Sequence, residues 1–86
     1  GVQTCALPIF DETYPPGSDT GEEMLNHEGE EAGVLVDGRL ELTVGSETYV
    51  LERGDSYYFE SNKPHRFRNP YDVPARLISA TTPANF

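Results

Sequence analysis

Residues 33–46 read GVLVDGRLELTVGS, and this stretch decides the fold. From Arg39 to Val44 the residues alternate. Leu40, Leu42 and Val44 share one face, while Arg39, Glu41 and Thr43 share the other. A period of two marks a β-strand with one face buried. Just upstream, Gly33 to Val36 is an apolar run that stops at the turn-forming pair Asp37-Gly38. Just downstream, Gly45-Ser46 suits a two-residue type II′ turn, whose first position needs a positive φ. Glu47 to Leu51 then reads as the returning strand of a hairpin.

Outward from the hairpin the pattern recurs. Ser56 to Phe59, His65 to Phe67 and Arg76 to Ala80 read as further strands. Between them, and upstream, lie the turn signals Pro15-Pro16-Gly17, Gly54-Asp55, Asn62-Lys63-Pro64, Asn69-Pro70 and Val73-Pro74. Many short strands at regular spacing predict an all-β sandwich or barrel. No helical period of useful length occurs; residues 21–31 contain Gly29 and lack a 3.6-residue apolar spacing.

Composition narrows the function. Fifteen Asp and Glu against six Lys and Arg give a net charge of -9. Gripping a phosphate backbone depends on Lys and Arg displacing counterions, so this segment is not expected to hold DNA itself. Docking on an anionic membrane is disfavoured for the same reason. No apolar run approaches the roughly 18 residues of a spanning helix, and no charged start with an apolar core marks a secretory signal. Cys5 stands alone, so no internal disulfide forms. The expectation is a small acidic domain of the cytoplasm.

The opening run GVQTCALPI, residues 1–9, resembles the translated reading frame of a sequencing-library primer. It is set apart here as a translated adapter, so Cys5 carries no redox meaning. The alternative is a genuine strand, in which Val2, Leu7 and Ile9 pack in a sheet. The native part is then one domain, residues 10–86, with further protein expected upstream. A domain this small buries only about 60% of its unfolded surface, so dimerisation or upstream strands are expected to add stability.

The chain holds two histidines, His27 and His65. His27 precedes Glu31 in the run HEGEE, and imidazole with carboxylate is a usual donor set for transition metals. Two His and one carboxylate make the facial triad of non-haem iron sites. On one straight strand His27 and Glu31 would lie about 13 Å apart, too far for one ion. The chain must therefore fold back near Gly29, where a bulge or a positive φ is tolerated. The plainer reading is a rim histidine beside a solvated acidic loop of Glu22, Glu23, Glu28, Glu30 and Glu31.

At these residues the chain resembles the cupins, small β-barrels of the jelly-roll (double-stranded β-helix) type. The first cupin motif is matched by His27, Glu31 and Gly38. The second is matched by Gly54, His65 and Asn69, with Glu60 and Asn62 where the family has Pro and Gly. Asn can take the left-handed conformation that glycine would supply there, so that departure is mild. The first histidine of the family's His-x-His pair falls on Leu25, which cannot bind a metal. The resemblance implies one of two sites. His27, Glu31 and His65 hold Fe, Mn, Zn or Ni as a triad. Alternatively, a metal-free ligand pocket is lined by Leu25, His27, Glu31, Tyr57, Phe59, His65 and Phe67. Arg66 and Arg68 have the opposite parity and are expected to face solvent or a partner chain.

A narrower likeness runs from Tyr14 to Phe86. The phrases YPPGSDTGEE, HEGEEAGVLVDGRLELTVG, ERGDSYYF, PHRFRNP and TTPANF resemble the C-terminal sensor domain of XRE-family helix-turn-helix transcription regulators. That resemblance implies a cupin that binds a small-molecule effector, supports a homodimer, and meets DNA only through an N-terminal domain not present in this sequence. A small metal-dependent cupin enzyme, a dioxygenase or isomerase, is the competing reading. It is weakened because its obvious acid–base groups would be consumed as ligands, leaving Tyr57 or Tyr58 as proton donor. A binding or storage cupin without either role is the third.

Overall fold

A computed structural model describes residues 8–20 and 29–82. Every regular element in them is a strand: β1 (Ile9–Tyr14), β2 (Glu30–Asp37), β3 (Arg39–Val44), β4 (Glu47–Glu52), β5 (Ser56–Glu60), β6 (His65–Arg68) and β7 (Ala75–Thr82). They form two antiparallel sheets, one in the order β1-β7-β2-β5 and the other β4-β3-β6. The all-β expectation holds, and the five strands expected from Arg39 onward all form, three of them longer by one residue and β7 by three.

The alternation seen in the sequence becomes the core. Leu40 and Leu42 of β3 are buried, as are Leu35 of β2 and Leu77 of β7 from the facing sheet. Tyr14, Leu51, Phe59, Phe67 and Ala75 complete this cluster. Fully burying one such aliphatic side chain stabilises by about 1.5–3 kcal/mol.

Two of the four connections that carry the chain between the sheets turn at glycines. At Gly38, with φ of 79°, it leaves β2 for β3, and the Gly38 amide donates to Asp37 Oδ1 at 3.0 Å. At Gly54 it returns, pinned by Gly54 N to Leu35 O at 2.8 Å and Leu35 N to Asp55 O at 2.9 Å. The hairpin turn is as expected: Gly45 has φ of 61° and no described non-glycine residue has a positive φ, so Ser46 fits type II′ rather than I′.

By that same fact Asn62 does not use the left-handed conformation open to it. Lys63 N donates to Glu60 O at 3.2 Å, closing a four-residue turn with Asn62 at its third position. A type I turn places that residue at negative φ, so no glycine is needed.

β1 was not anticipated from the sequence. It is an edge strand, exposed from Ile9 to Thr13 and buried only at Tyr14, so it lacks the alternation that reveals β3. Ile9, from the run set apart above, pairs with Ala80. On the outer face of this sheet Arg76 donates to Asp11 through Nε at 3.0 Å and Nη2 at 2.6 Å. The hydrogen bond is the chief reason that the Asp11 carboxyl sits below its usual value of 3.8; slight burial opposes it and the Arg76 charge assists. A carboxyl depressed in the folded state contributes stability above its unfolded pKa and loses it as pH falls through the folded one. The gap in melting temperature between the parent and Asp11→Asn is therefore expected to be small at neutral pH. It should close as pH drops below 3.8. Thermal melts at both pH values test this, and a gap unchanged in acid would rule out the pair as its source.

Candidate functional site

The site forms where the two sheets face each other at the β5–β6 end. In the first sheet Glu31 pairs with Phe59 and Gly33 with Tyr57. In the second, Phe67 pairs with Leu42 and His65 with Val44. Leu42 points into the core, so register also turns His65 and Phe67 inward. The faces meet in an aromatic cluster. Phe59 and His65 have ring centroids 4.7 Å apart, Tyr57 stacks on Phe59 at 5.8 Å, and Phe67 meets Tyr57 edge-on at 5.6 Å. Tyr14 adds a fourth wall, 5.8 Å from Phe67.

One carboxylate enters this apolar surround. The Tyr57 hydroxyl donates to Glu31 Oε2 at 2.7 Å, linking residues 26 apart in the chain. Burial, then the neighbouring Glu31 charge and hydrogen bond, push the Tyr57 phenol far above its ordinary range; a hydrogen bond from buried Ser79 acts the other way. Tyr57 therefore remains a protonated donor. Tyr14 is raised likewise, by burial first and then by its bond to Glu12 at 2.9 Å.

His65 is half-buried, and its Nδ1 lies 2.9 Å from the Lys63 carbonyl. A carbonyl only accepts, so Nδ1 carries the proton. In the neutral ring Nε2 is then left with a lone pair, the arrangement typical of metal-ligating histidines. Of the expected site residues, Glu31, Tyr57, Phe59, His65 and Phe67 gather around one aromatic cluster. Leu25 and His27 lie outside the described residues. Among the described residues no group of three His, Cys, Asp or Glu is placed to hold a metal ion.

Several neighbours have roles that the sequence did not announce. Tyr58 points outward and is 60% exposed, so it is not placed as a proton donor to this cluster. Arg66 and Arg68 lie on the outer face, 3.7 Å from Asp19 and from Glu41 respectively. Asn69 is fully buried and is a clamp: its Nδ2 donates to Tyr14 O at 2.9 Å and Val73 O at 2.8 Å, and its Oδ1 accepts from Tyr71 N at 3.0 Å. Gly33 belongs to the site through its missing side chain; a glycine inside a strand is the signal for such a close approach. A separate open cavity of about 780 Å³ lies between the edge strands β4 and β5. It shares Tyr57 and Phe59 with the cluster but not Glu31 or His65.

The model of the Cupin_2 family, described as a cupin domain, matches residues 10–81. The chain belongs to the Cupin_2 family. The HTH-type transcriptional regulator PuuR of Escherichia coli is 41% identical to this cupin over 80 residues, covering 93% of the chain and 43% of PuuR. The xanthan biosynthesis protein XanB of Xanthomonas campestris is 33% identical over 66 residues, covering 77% of the chain and 14% of XanB. The chain thus spans less than half the length of these curated relatives. Among solved structures, the Cupin_2 domain of an XRE family transcriptional regulator from Enterobacter cloacae superposes with a TM-score of 0.84 at 23% identity. That match covers 94% of this chain and 85% of the other. A cupin sugar phosphate isomerase from Silicibacter pomeroyi superposes at 0.75 with 22% identity, covering 91% and 51%. Both likenesses establish the jelly-roll fold. Similarity to regulator cupins, as the sequence phrases implied, extends over almost the whole chain.

Proposed function

We propose that this cupin is the effector-sensing and dimerising module of a helix-turn-helix transcription regulator. The observation that carries the reading is the 41% identity to PuuR over 80 residues, 93% of the chain. The acidic balance of the chain agrees, because contact with DNA then falls to a separate domain. A small polar effector enters beside Glu31 and His65, with Tyr57, Phe59 and Phe67 as apolar walls; the motif match adds Leu25 and His27 to the residues to be tested. Binding shifts the DNA-bound state only by its difference in affinity between two arrangements of the dimer.

The His65 tautomer favours a metal as part of this site. His27, Glu31 and His65 would hold Fe, Mn, Zn or Ni, and the ion would supply a positive charge that an anionic effector group could reach. The metal-dependent enzyme remains the alternative on the same three residues.

The test is a thermal-shift screen of polar metabolites on the purified chain, with and without added metal. A true effector at 100 times its Kd stabilises by about 2.7 kcal/mol, roughly 10–20 °C for a domain of this size. Glu31→Gln and His65→Ala are expected to abolish the shift, and sedimentation is expected to report a dimer. Absence of bound transition metal in the purified chain, together with an undiminished shift in His65→Ala, would remove both the triad and the pocket. Turnover of a hit compound by the purified chain would favour the enzyme.

A further inference from the structure

We propose that Tyr57 is the positioning residue for Glu31, and that Gly33 is glycine in order to let Tyr57 do so. The proposal rests on the reading of Glu31 as a ligand-contacting group and adds how that group is held. Glu31 and Gly33 lie two apart on β2 and so share a face, and Gly33 pairs directly with Tyr57 across the sheet. The phenol ring lies over the Gly33 backbone. A Cβ built on Gly33 would sit 2.6 Å from the Tyr57 hydroxyl oxygen, 2.7 Å from its Cε1 and 2.7 Å from the Ile78 carbonyl oxygen. Real Cβ contacts are not that short, and the Ile78 backbone cannot yield as a flexible side chain would. The vacancy at residue 33 is therefore the channel through which the hydroxyl reaches Glu31.

The ring has little freedom to leave. Phe59 stacks on one side with an interplanar angle of 18°, and Phe67 closes another at 64°. Fixing a rotatable acid by a donor on a rigid ring places its charge before any ligand arrives. Less side-chain freedom is then lost on binding. Such supporting hydrogen bonds typically change metal affinity by about 10–100-fold when removed. The ring and the hydroxyl divide the work: the ring fills the core, while the hydroxyl orients Glu31.

That division makes the proposal testable with Tyr57→Phe, which keeps the ring. Two readouts are taken on the purified chain: the Glu31 side-chain rotamer from Hα–Hβ couplings in NMR, and the affinity for Co²⁺ alone by calorimetry. The expected result is one Glu31 rotamer in the parent and averaged couplings in Tyr57→Phe, with an unchanged far-ultraviolet spectrum. Co²⁺ affinity should fall about 10–100-fold. Gly33→Ala should average the same couplings, and adding it to Tyr57→Phe should change them no further. A single Glu31 rotamer retained in Tyr57→Phe, or averaged couplings already in the parent, overturns the proposal even if Gly33→Ala fails to fold. Unchanged Co²⁺ affinity in Tyr57→Phe while Glu31→Gln loses it overturns it as well. A parent that fixes Glu31 but binds no Co²⁺ removes the metal reading above and leaves the positioning role standing.

Discussion

Asn69→Ala is expected to cost about 3–5 kcal/mol and to lower the melting temperature by roughly 15–30 °C. Asn69 ties the end of β1 to the loop that follows β6. Its Nδ2 donates to Tyr14 O at the end of β1 and to Val73 O before β7, and its Oδ1 receives Tyr71 N. The residue is 0% exposed, so truncation strands groups that water reaches poorly. A buried group left without its partner costs about 1–3 kcal/mol. Against a total stability of order 5–15 kcal/mol, such a loss comes close to unfolding a domain of this size. Asn69→Asp is expected to be at least as damaging at neutral pH, because it removes both donors and buries a charge. Urea and thermal melts measure both. A loss below about 1 kcal/mol for Asn69→Ala would mean that the clamp is not what closes this end of the sandwich.

Gly38→Ala is the second large effect, expected near 3 kcal/mol or above. Two causes add. The residue has φ of 79°, a conformation that costs an L-residue about 1–2 kcal/mol. A Cβ there would also lie 2.3 Å from Pro74 O and 2.8 Å from Ala75 Cα. Both are backbone atoms of the segment that leads into β7, so relief requires moving the strand. Gly54→Ala separates the two causes, since Gly54 has φ of 91° with nothing within 4 Å of its Cβ position. It is expected to lose only the conformational part. Equal losses in Gly38→Ala and Gly54→Ala would show that the contact with Pro74 is relieved at no cost.

Both residues were visible in the sequence as members of motifs, but with no stated reason. Asp37-Gly38 announced a turn, and it is one; that its Cβ would strike Pro74 follows only once β2 and β7 lie side by side. Asn69 stood at a motif position, four residues after His65, with no role attached. Its partner Tyr14 is 55 residues away. For the candidate site, the resemblance named Tyr57, Phe59, His65 and Phe67 as lining, and alternation, a local property of strands, does turn them inward. It said nothing of Gly33, whose importance lies in an atom it lacks. That Asn62 needs no left-handed conformation was hidden for a related reason. A turn's type depends on which hydrogen bond closes it, and several types accept Asn.

What the amino-acid order determined unaided was the strands from β2 onward, the β3–β4 hairpin, the inward direction of Tyr57, Phe59, His65 and Phe67, and the cupin family, all legible because a period of two and fixed motif spacings are short-range. The tertiary structure alone decided the pairing of Gly33 with Tyr57, the bond from Tyr57 to Glu31 and the closure at Asn69. These join residues tens of positions apart, and no local rule relates such residues until two sheets face each other and exclude water from between them.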